Sequence, residues 1–426
     1  MAQCPRPSTH DSGPTTHDPA FSPSVSSDST YIYPALCQGP TLDNWHLAET
    51  VEERARSHPA RECLVAGLRR WTYGQVRDQS GALAAALADL GLVPGERIAL
   101  LLPNRPEWVI GFLAAARLGL TVVPLDPRLS FHELKYLLRH SEVVAALTVA
   151  GYGDQDFLDL FDELLPELPD LHYVITVGVA DLWADERVYR YEDLVARGAG
   201  RLSPVAPVDP ERMPLAVVYT SGTTAKPKGV VLSHRALLEA TRGTGEALEL
   251  RGDDRVLAAV PFSHVFGTHI ALQCLQYGVT MLLLETFEPG AALALMMAER
   301  ATVCHGVPTM FALLMRDPSF DADRLSGLRT GILAGASVAP ELVGQIRRWC
   351  DVQIAYGLTE TGPTVSVTRF TDPPEKRANT VGRPVRGVEV RIIDVSPGRS
   401  GEEAVGELAV KGPDLMLGYH RMPGET

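Results

Sequence analysis

The densest run of groups able to do chemistry lies between two apolar stretches. Val217, Val218 and Tyr219 lead into Thr220, Ser221, Gly222, Thr223, Thr224, Ala225, Lys226, Pro227, Lys228 and Gly229, and Val230, Val231 and Leu232 follow. Small residues leave backbone N–H groups open, the hydroxyls donate, and two ammonium groups supply charge, a combination that suits a polyphosphate. Lysine is scarce in this chain, with only Lys135, Lys226, Lys228, Lys376 and Lys411 among 39 basic residues, and two of the five fall in this loop. The loop is not of the Walker type, because the fifth residue after Gly222 is Pro227, where that pattern continues with glycine and lysine. The apolar run predicts a strand entering the loop, and a helix is expected from about Arg235.

A second constellation, Tyr356, Gly357, Leu358, Thr359, Glu360 and Thr361, joins a flat aromatic that can stack on a purine to a carboxylate of the hard-oxygen type that Mg²⁺ prefers. With it, the loop Thr220 to Gly229 resembles the signature of the adenylate-forming, AMP-binding superfamily of acyl-CoA synthetases, aryl-CoA ligases, luciferases and peptide-synthetase adenylation domains. The resemblance implies that Tyr356 and Gly357 pack by the adenine, Thr359 contacts the α-phosphate, and Glu360 binds Mg²⁺. Lys228 and the Thr220, Ser221, Gly222, Thr223 and Thr224 loop would hold the β- and γ-phosphates.

Further segments extend the resemblance. Pro261 to Gly267 is similar to the segment whose histidine, here His264, gates the acyl pocket, with Phe266 and Gly267 beside it. Val307 and Pro308 match the acyl-pocket wall, and Gly331 is expected to line it. Gly335, Ala336 and Ser337 resemble the adenine-binding turn, where a ring lies flat on backbone only if no side chain intervenes. Val381 to Pro384 and Gly406 to Tyr419 resemble the last β-rich part of the family's large domain, expected to support the site rather than react. Ala225 stands where the family usually has glycine. The resemblance also implies a small domain with a catalytic lysine, and an aspartate for the ribose, beyond Thr426. Without that domain this chain is expected to bind substrate and nucleotide but to adenylate poorly.

These residues need a scaffold. After a polar segment over 1–40, whose first 30 residues include five Pro, seven Ser, four Thr and three Asp and predict a disordered tail, strands alternate with helices. Arg97 to Leu102, Thr121 to Pro124 and Val143 to Val149 read as strands between the helices Ala82 to Leu92, Trp108 to Leu118 and Phe131 to Leu138. A second series runs through Leu215, Val256 to Val260, Thr280 to Leu284, Thr302 to His305, Thr330 to Ala334 and Asp351 to Tyr356. Such alternation predicts an α/β fold of two doubly wound subdomains, over 41–210 and 211–370, with a small β-rich, distorted-barrel subdomain over 371–426.

Composition narrows the function. The 426 residues carry 39 basic and 52 acidic side chains, a net charge of −13 without the basic footprint of a nucleic-acid binder, and no apolar run approaches the ~20 residues that span a bilayer. Six scattered cysteines without Cys-x-x-Cys spacing argue against a zinc site or a disulfide framework and, with no charged-then-apolar leader, for the cytoplasm. The resemblance implies adenylation of an acyl or aryl acid by ATP and transfer to CoA. Transfer to a carrier protein or an amine, activation of nitrite for diazotisation of an aryl amine, and a non-catalytic nucleotide-binding module are the alternatives.

Overall fold

A computed structural model describes residues 30–31, 45–178, 185–220, 226–396 and 405–426. All of the expected tail except Thr30 and Tyr31 lies outside them, as do Ser221, Gly222, Thr223 and Thr224 of the expected phosphate loop.

Two β-sheets organise the larger of two compact units, which comprises residues 36–388 and 411–426. The first has eight strands in the spatial order Val188–Arg190, Tyr173–Val177, Ala145–Val149, Arg97–Leu101, Thr121–Leu125, Pro214–Thr220, Lys228–Ser233 and Gly418–Tyr419. The first six run parallel; Lys228–Ser233 is antiparallel to its neighbours on both sides, Pro214–Thr220 and Gly418–Tyr419. Every residue of Ala145–Val149 and Thr121–Leu125 is buried, which is why these strands are continuous apolar runs rather than alternating ones.

In the second sheet Val303–Cys304, Arg255–Ala258, Thr280–Leu283 and Glu62–Ala66 lie side by side in parallel, with Arg69–Thr72 antiparallel at the edge. Parallel bridges from Val303 to Thr330 and Gly306 to Leu333 continue it into Gly331–Leu333, Val352–Tyr356, Ser366–Val367 and Arg383–Pro384. Strand pairing crosses residue 210 in both directions: Pro214–Ser233 extends the first sheet, and Glu62–Thr72 belongs to the second.

The helix Pro106–Leu118 is buried at all 13 positions, and Val265–Tyr277 at all but its last. Helices apolar on every side are packed on every side. The helix expected from Ala82 begins nine residues earlier, at Tyr73, because Thr72 and Gln75 form a capping box that satisfies its first N–H groups.

Asp414 is 1% exposed, and neither carboxyl oxygen meets a hydrogen-bond partner among the described residues. Burial, reinforced by the charge of Glu239, pushes its pKa up to about 7. A carboxyl raised in the fold contributes stability that is complete below about pH 4 and is lost as pH rises through 7. Asp414→Asn is therefore expected to stabilise the protein by about 1–3 kcal/mol at pH 8 and by nothing near pH 4, read from urea midpoints at both. The same gain at both pH values would show that Asp414 does not carry the effect.

A second, smaller unit contains Glu389–Val410 and Thr30–Tyr31. Its three-stranded sheet places Glu389–Ser396 between Thr30–Tyr31 and Val405–Lys411, with Thr30 opposite Arg391 and Tyr31 opposite Val390. Among the described residues these strands do not close into a barrel. Residues 371–388 and 411–426, expected to belong with it, group with the larger unit.

Candidate active site

Thr220 and Lys228 face each other as the last rungs of an antiparallel pair of strands, on either side of the segment that carries Ser221 to Thr224 in the sequence. Sequence reading ended the loop at Gly229 and gave no strand after it; Lys228–Ser233 is a strand, and Ser233 then caps the helix His234–Ala247 through the Ala236 N–H at 3.1 Å. Lys228 Nζ donates to Glu425 Oε2 at 3.0 Å and lies 4.9 Å from the centre of the Tyr419 ring. A phosphate that takes this ammonium displaces a half-exposed carboxylate, an exchange costing ~1 kcal/mol or less.

Gly418–Tyr419 pairs with the strand that starts at Lys228, with Tyr419 opposite Val230. From there Tyr419 Oη donates to Glu360 Oε1 at 2.7 Å, and Met416 N–H donates to the Glu360 carbonyl at 2.9 Å. Desolvation and the Glu360 carboxylate push the Tyr419 pKa up to about 12, so its hydroxyl stays a donor. The segment expected only to support the site therefore orients its carboxylate.

Tyr356 ends the strand Val352–Tyr356, and the chain turns through Gly357 into a short helix at Thr359–Thr361. A Cβ on Gly357 would lie 1.7 Å from the Pro363 carbonyl oxygen, so only glycine fits this crossing. Gly335 opens the exposed Gly335–Ser337 turn with a left-handed φ of 85°, which glycine adopts without strain.

Two cavities meet here. One, of about 820 Å³, is lined by Gly335, Ala336, Ser337, Ile354, Tyr356, Gly357 and Asn379, among others. The other, of about 470 Å³, is lined by Thr220, Lys228, Thr244, His264, Phe266, His269, Tyr356, Thr359, Glu360 and Tyr419 with their neighbours. Gly335, Ala355, Tyr356 and Gly357 line both. Desolvation by the surrounding walls lowers the pKa of His264, whose Nδ1 accepts from Phe266 N–H at 3.1 Å and caps the helix behind it.

Among the described residues, those selected from the sequence line one or both cavities, with four exceptions. Gly267, Val307, Pro308 and Gly331 do not line the second cavity. A Cβ on Gly267 would come 2.0 Å from the Pro261 carbonyl oxygen and one on Gly331 1.7 Å from that of Cys304, so these glycines allow close packing behind the wall. Thr244, His269 and Tyr419 are the lining residues whose roles the sequence did not reveal.

Among the described residues no three His, Cys, Asp or Glu side chains cluster as a metal cage. Glu360 alone fits the habit of Mg²⁺, which takes one or two carboxylates and completes its shell with substrate phosphates and water.

The chain belongs to the AMP-binding enzyme family, whose profile matches residues 51–420. It is 33% identical over 377 residues to the 3-[(3aS,4S,7aS)-7a-methyl-1,5-dioxo-octahydro-1H-inden-4-yl]propanoyl:CoA ligase of Mycobacterium tuberculosis, covering 87% of this chain and 71% of that protein. It is 29% identical over 423 residues to the human mitochondrial medium-chain acyl-CoA ligase ACSF2, covering 92% and 68%. Its fold matches the crystal structure of the anthranilate CoA ligase AuaEII in complex with anthranoyl-AMP with a TM-score of 0.79 at 23% identity, covering 89% of this chain and 72% of that one.

Proposed function

We propose that this chain activates a carboxylic acid with ATP and passes the acyl group to the thiol of CoA. The observation that carries this reading is the 470 Å³ cavity itself, which runs from Lys228, Thr359 and Glu360 to an aromatic and apolar wall at Phe266, Val265 and Ile332, and meets the Gly335–Tyr356 slot. A nucleotide base fits the slot, its phosphates the cationic end, and an acid the remainder.

In the first step a carboxylate oxygen of the acid attacks the α-phosphorus, and the bond to pyrophosphate breaks. Thr359 and Lys228 position the phosphates, and Ser221 to Thr224 would add donors. Glu360, held by Tyr419, would bind Mg²⁺, which when present neutralises phosphate charge. In the second step the sulfur of CoA bonds to the acyl carbon and AMP leaves. His264, uncharged at neutral pH and bordering the cavity, suits a gate on the thiol's approach. Two of its relatives are CoA ligases by name, which favours CoA over a carrier protein as acceptor. Four described cysteines, Cys63, Cys274, Cys304 and Cys350, are buried free thiols, in keeping with the cytoplasm, and among the described residues no helix is long and apolar enough to cross a membrane.

Incubation with ATP, Mg²⁺, CoA and a panel of aliphatic, aromatic and amino acids, read by mass spectrometry, tests the reading. AMP and an acyl-CoA are expected with at least one acid. Nucleotide binding without AMP or pyrophosphate from any acid would favour a non-catalytic module instead.

A further inference from the structure

The ammonium that would receive the β- and γ-phosphates already has a partner. Lys228 Nζ donates to Glu425 Oε2 at 3.0 Å, the two side chains being 20% and 51% exposed. Lys228 lines the 470 Å³ cavity, whereas Glu425 stands outside the lining and reaches it from the turn between Met422 and Thr426. Three hydrogen bonds hold that turn. Glu425 N–H donates to the Met422 carbonyl at 3.1 Å, Thr426 Oγ1 donates to the same carbonyl at 3.3 Å, and Tyr419 N–H donates to Thr426 Oγ1 at 2.9 Å. Tyr419 thus holds Glu360 through its hydroxyl and the Glu425 turn through its backbone, with Lys228 over its ring between the two carboxylates.

The charges of the site make this contact consequential. Among the described residues that line the cavity, only Lys228 and Glu360 carry charge at neutral pH, since desolvation keeps His264 and His269 neutral. While Glu425 neutralises Lys228, the Glu360 carboxylate is unopposed and the phosphate end repels a polyanion. Once Glu425 turns out to water, the two cavity charges balance and an ammonium is free to donate. A half-exposed carboxylate stays hydrated through that swing, so the exchange is easy in both directions. Glu425 is also tethered six residues from Tyr419, which keeps its local concentration at Lys228 on the order of millimolar or more. It therefore competes with any phosphate at this lysine.

We propose that Glu425 is a built-in competitor of pyrophosphate: it occupies Lys228 in the empty site, yields to the β- and γ-phosphates of ATP, and takes the lysine back as pyrophosphate leaves. AMP, whose single phosphate is assigned to Thr359, does not need Lys228 and escapes the competition. The inference rests on the adenylation reading and adds to it a residue that weakens the hold on one product and not on the other.

Calorimetry with pyrophosphate, ATP and AMP, each with Mg²⁺ and without acid, tests this on the full chain without requiring turnover. At low salt Glu425→Gln, which keeps the shape and removes the charge, is expected to tighten pyrophosphate and ATP by about 2- to 5-fold. AMP is expected to bind the variant as it binds the wild type, which also shows that the variant is folded. The gain is expected to shrink at roughly 0.5 M salt, as for any half-exposed ion pair. In a Lys228→Met background the same substitution is expected to bring no gain for ATP. Unchanged pyrophosphate affinity in Glu425→Gln, an equal gain for AMP, or a gain that persists without Lys228 would overturn the proposal. If the wild type bound neither ATP nor AMP, the adenylation reading would fall, and this inference with it; if it bound both and Glu425→Gln changed nothing, the inference alone would fall.

Discussion

Glu360→Ala is expected to lower ATP-dependent pyrophosphate release by about 10³-fold or more, with the loss mainly in kcat. The size follows from the role proposed for the carboxylate, since losing the ligand that would hold the phosphate-neutralising Mg²⁺ removes about 4 kcal/mol of transition-state stabilisation. The structure separates this effect from unfolding. The carbonyl of Glu360, not its side chain, receives the Met416 N–H, so alanine keeps that bond. Among the described residues its side chain accepts one hydrogen bond, from Tyr419 Oη, and Tyr419 borders the cavity, where water can replace the lost acceptor. Tyr419→Phe is the graded control: it keeps the charge but frees the carboxylate to turn, and a loss of about 3- to 10-fold is expected. Normal pyrophosphate release by Glu360→Ala, measured with saturating acid and ATP, would remove Glu360 from the mechanism.

The second large effect is on stability as pH falls. His234, His269 and His305 are each 3% exposed or less, and burial lowers all three to about 3. Both ring nitrogens of His234 lack a partner among the described residues, and its neighbour His46, with ring centres 4.8 Å apart, adds repulsion to any charge. In the unfolded chain each would take a proton below about pH 6.5, and in the fold it cannot until about pH 3. Each therefore removes about 1.4 kcal/mol of stability per pH unit as pH falls through that window. Asp414, raised in the fold, has the opposite sign between pH 7 and 4 and offsets one of the three. The remainder, about 2.7 kcal/mol per unit, removes about 4 kcal/mol between pH 6.5 and 5, a large share of the 5–15 kcal/mol typical of a protein's whole stability. Burial shifts His140, His264 and His420 in the same direction. Carboxylates held low by partners, such as Asp126 and Asp254, add their loss only below about pH 4. Urea midpoints are thus expected to drop steeply below pH 6, and His234→Leu to flatten that slope by about half. Midpoints level from pH 7 to 5 would contradict the assignment.

How far the sequence could lead follows from the range over which each signal acts. Alternating apolar runs revealed the parallel strands within a residue or two, because burial on both faces leaves little freedom in composition. The Tyr356 to Glu360 constellation was legible because its chemistry is contiguous in the chain. Lys228–Ser233 was not recognised as a strand, since six residues after a polar loop carry no signal for a hairpin whose partner lies before the loop. Tyr419 reaches Glu360 across 59 positions, and Thr244 meets His269 across two helices, so only the packed chain brings them together. Gly267 and Gly331 were read as pocket lining from their neighbours. Their missing side chains serve the backbone approach behind the wall, which no local pattern distinguishes from contact with a ligand.

Gly335, Ala355, Tyr356 and Gly357 form a thin partition with a cavity on each face. An acid alone can hold on at one side only, but once joined to AMP as a mixed anhydride it is also held through the nucleotide on the other, and release of either end leaves the other tethered nearby. Tethering raises the local concentration of the loose end to the order of millimolar or more, so rebinding outpaces escape. The reactive compound is the one this geometry retains longest, which protects it from hydrolysis in bulk water while it awaits its acceptor.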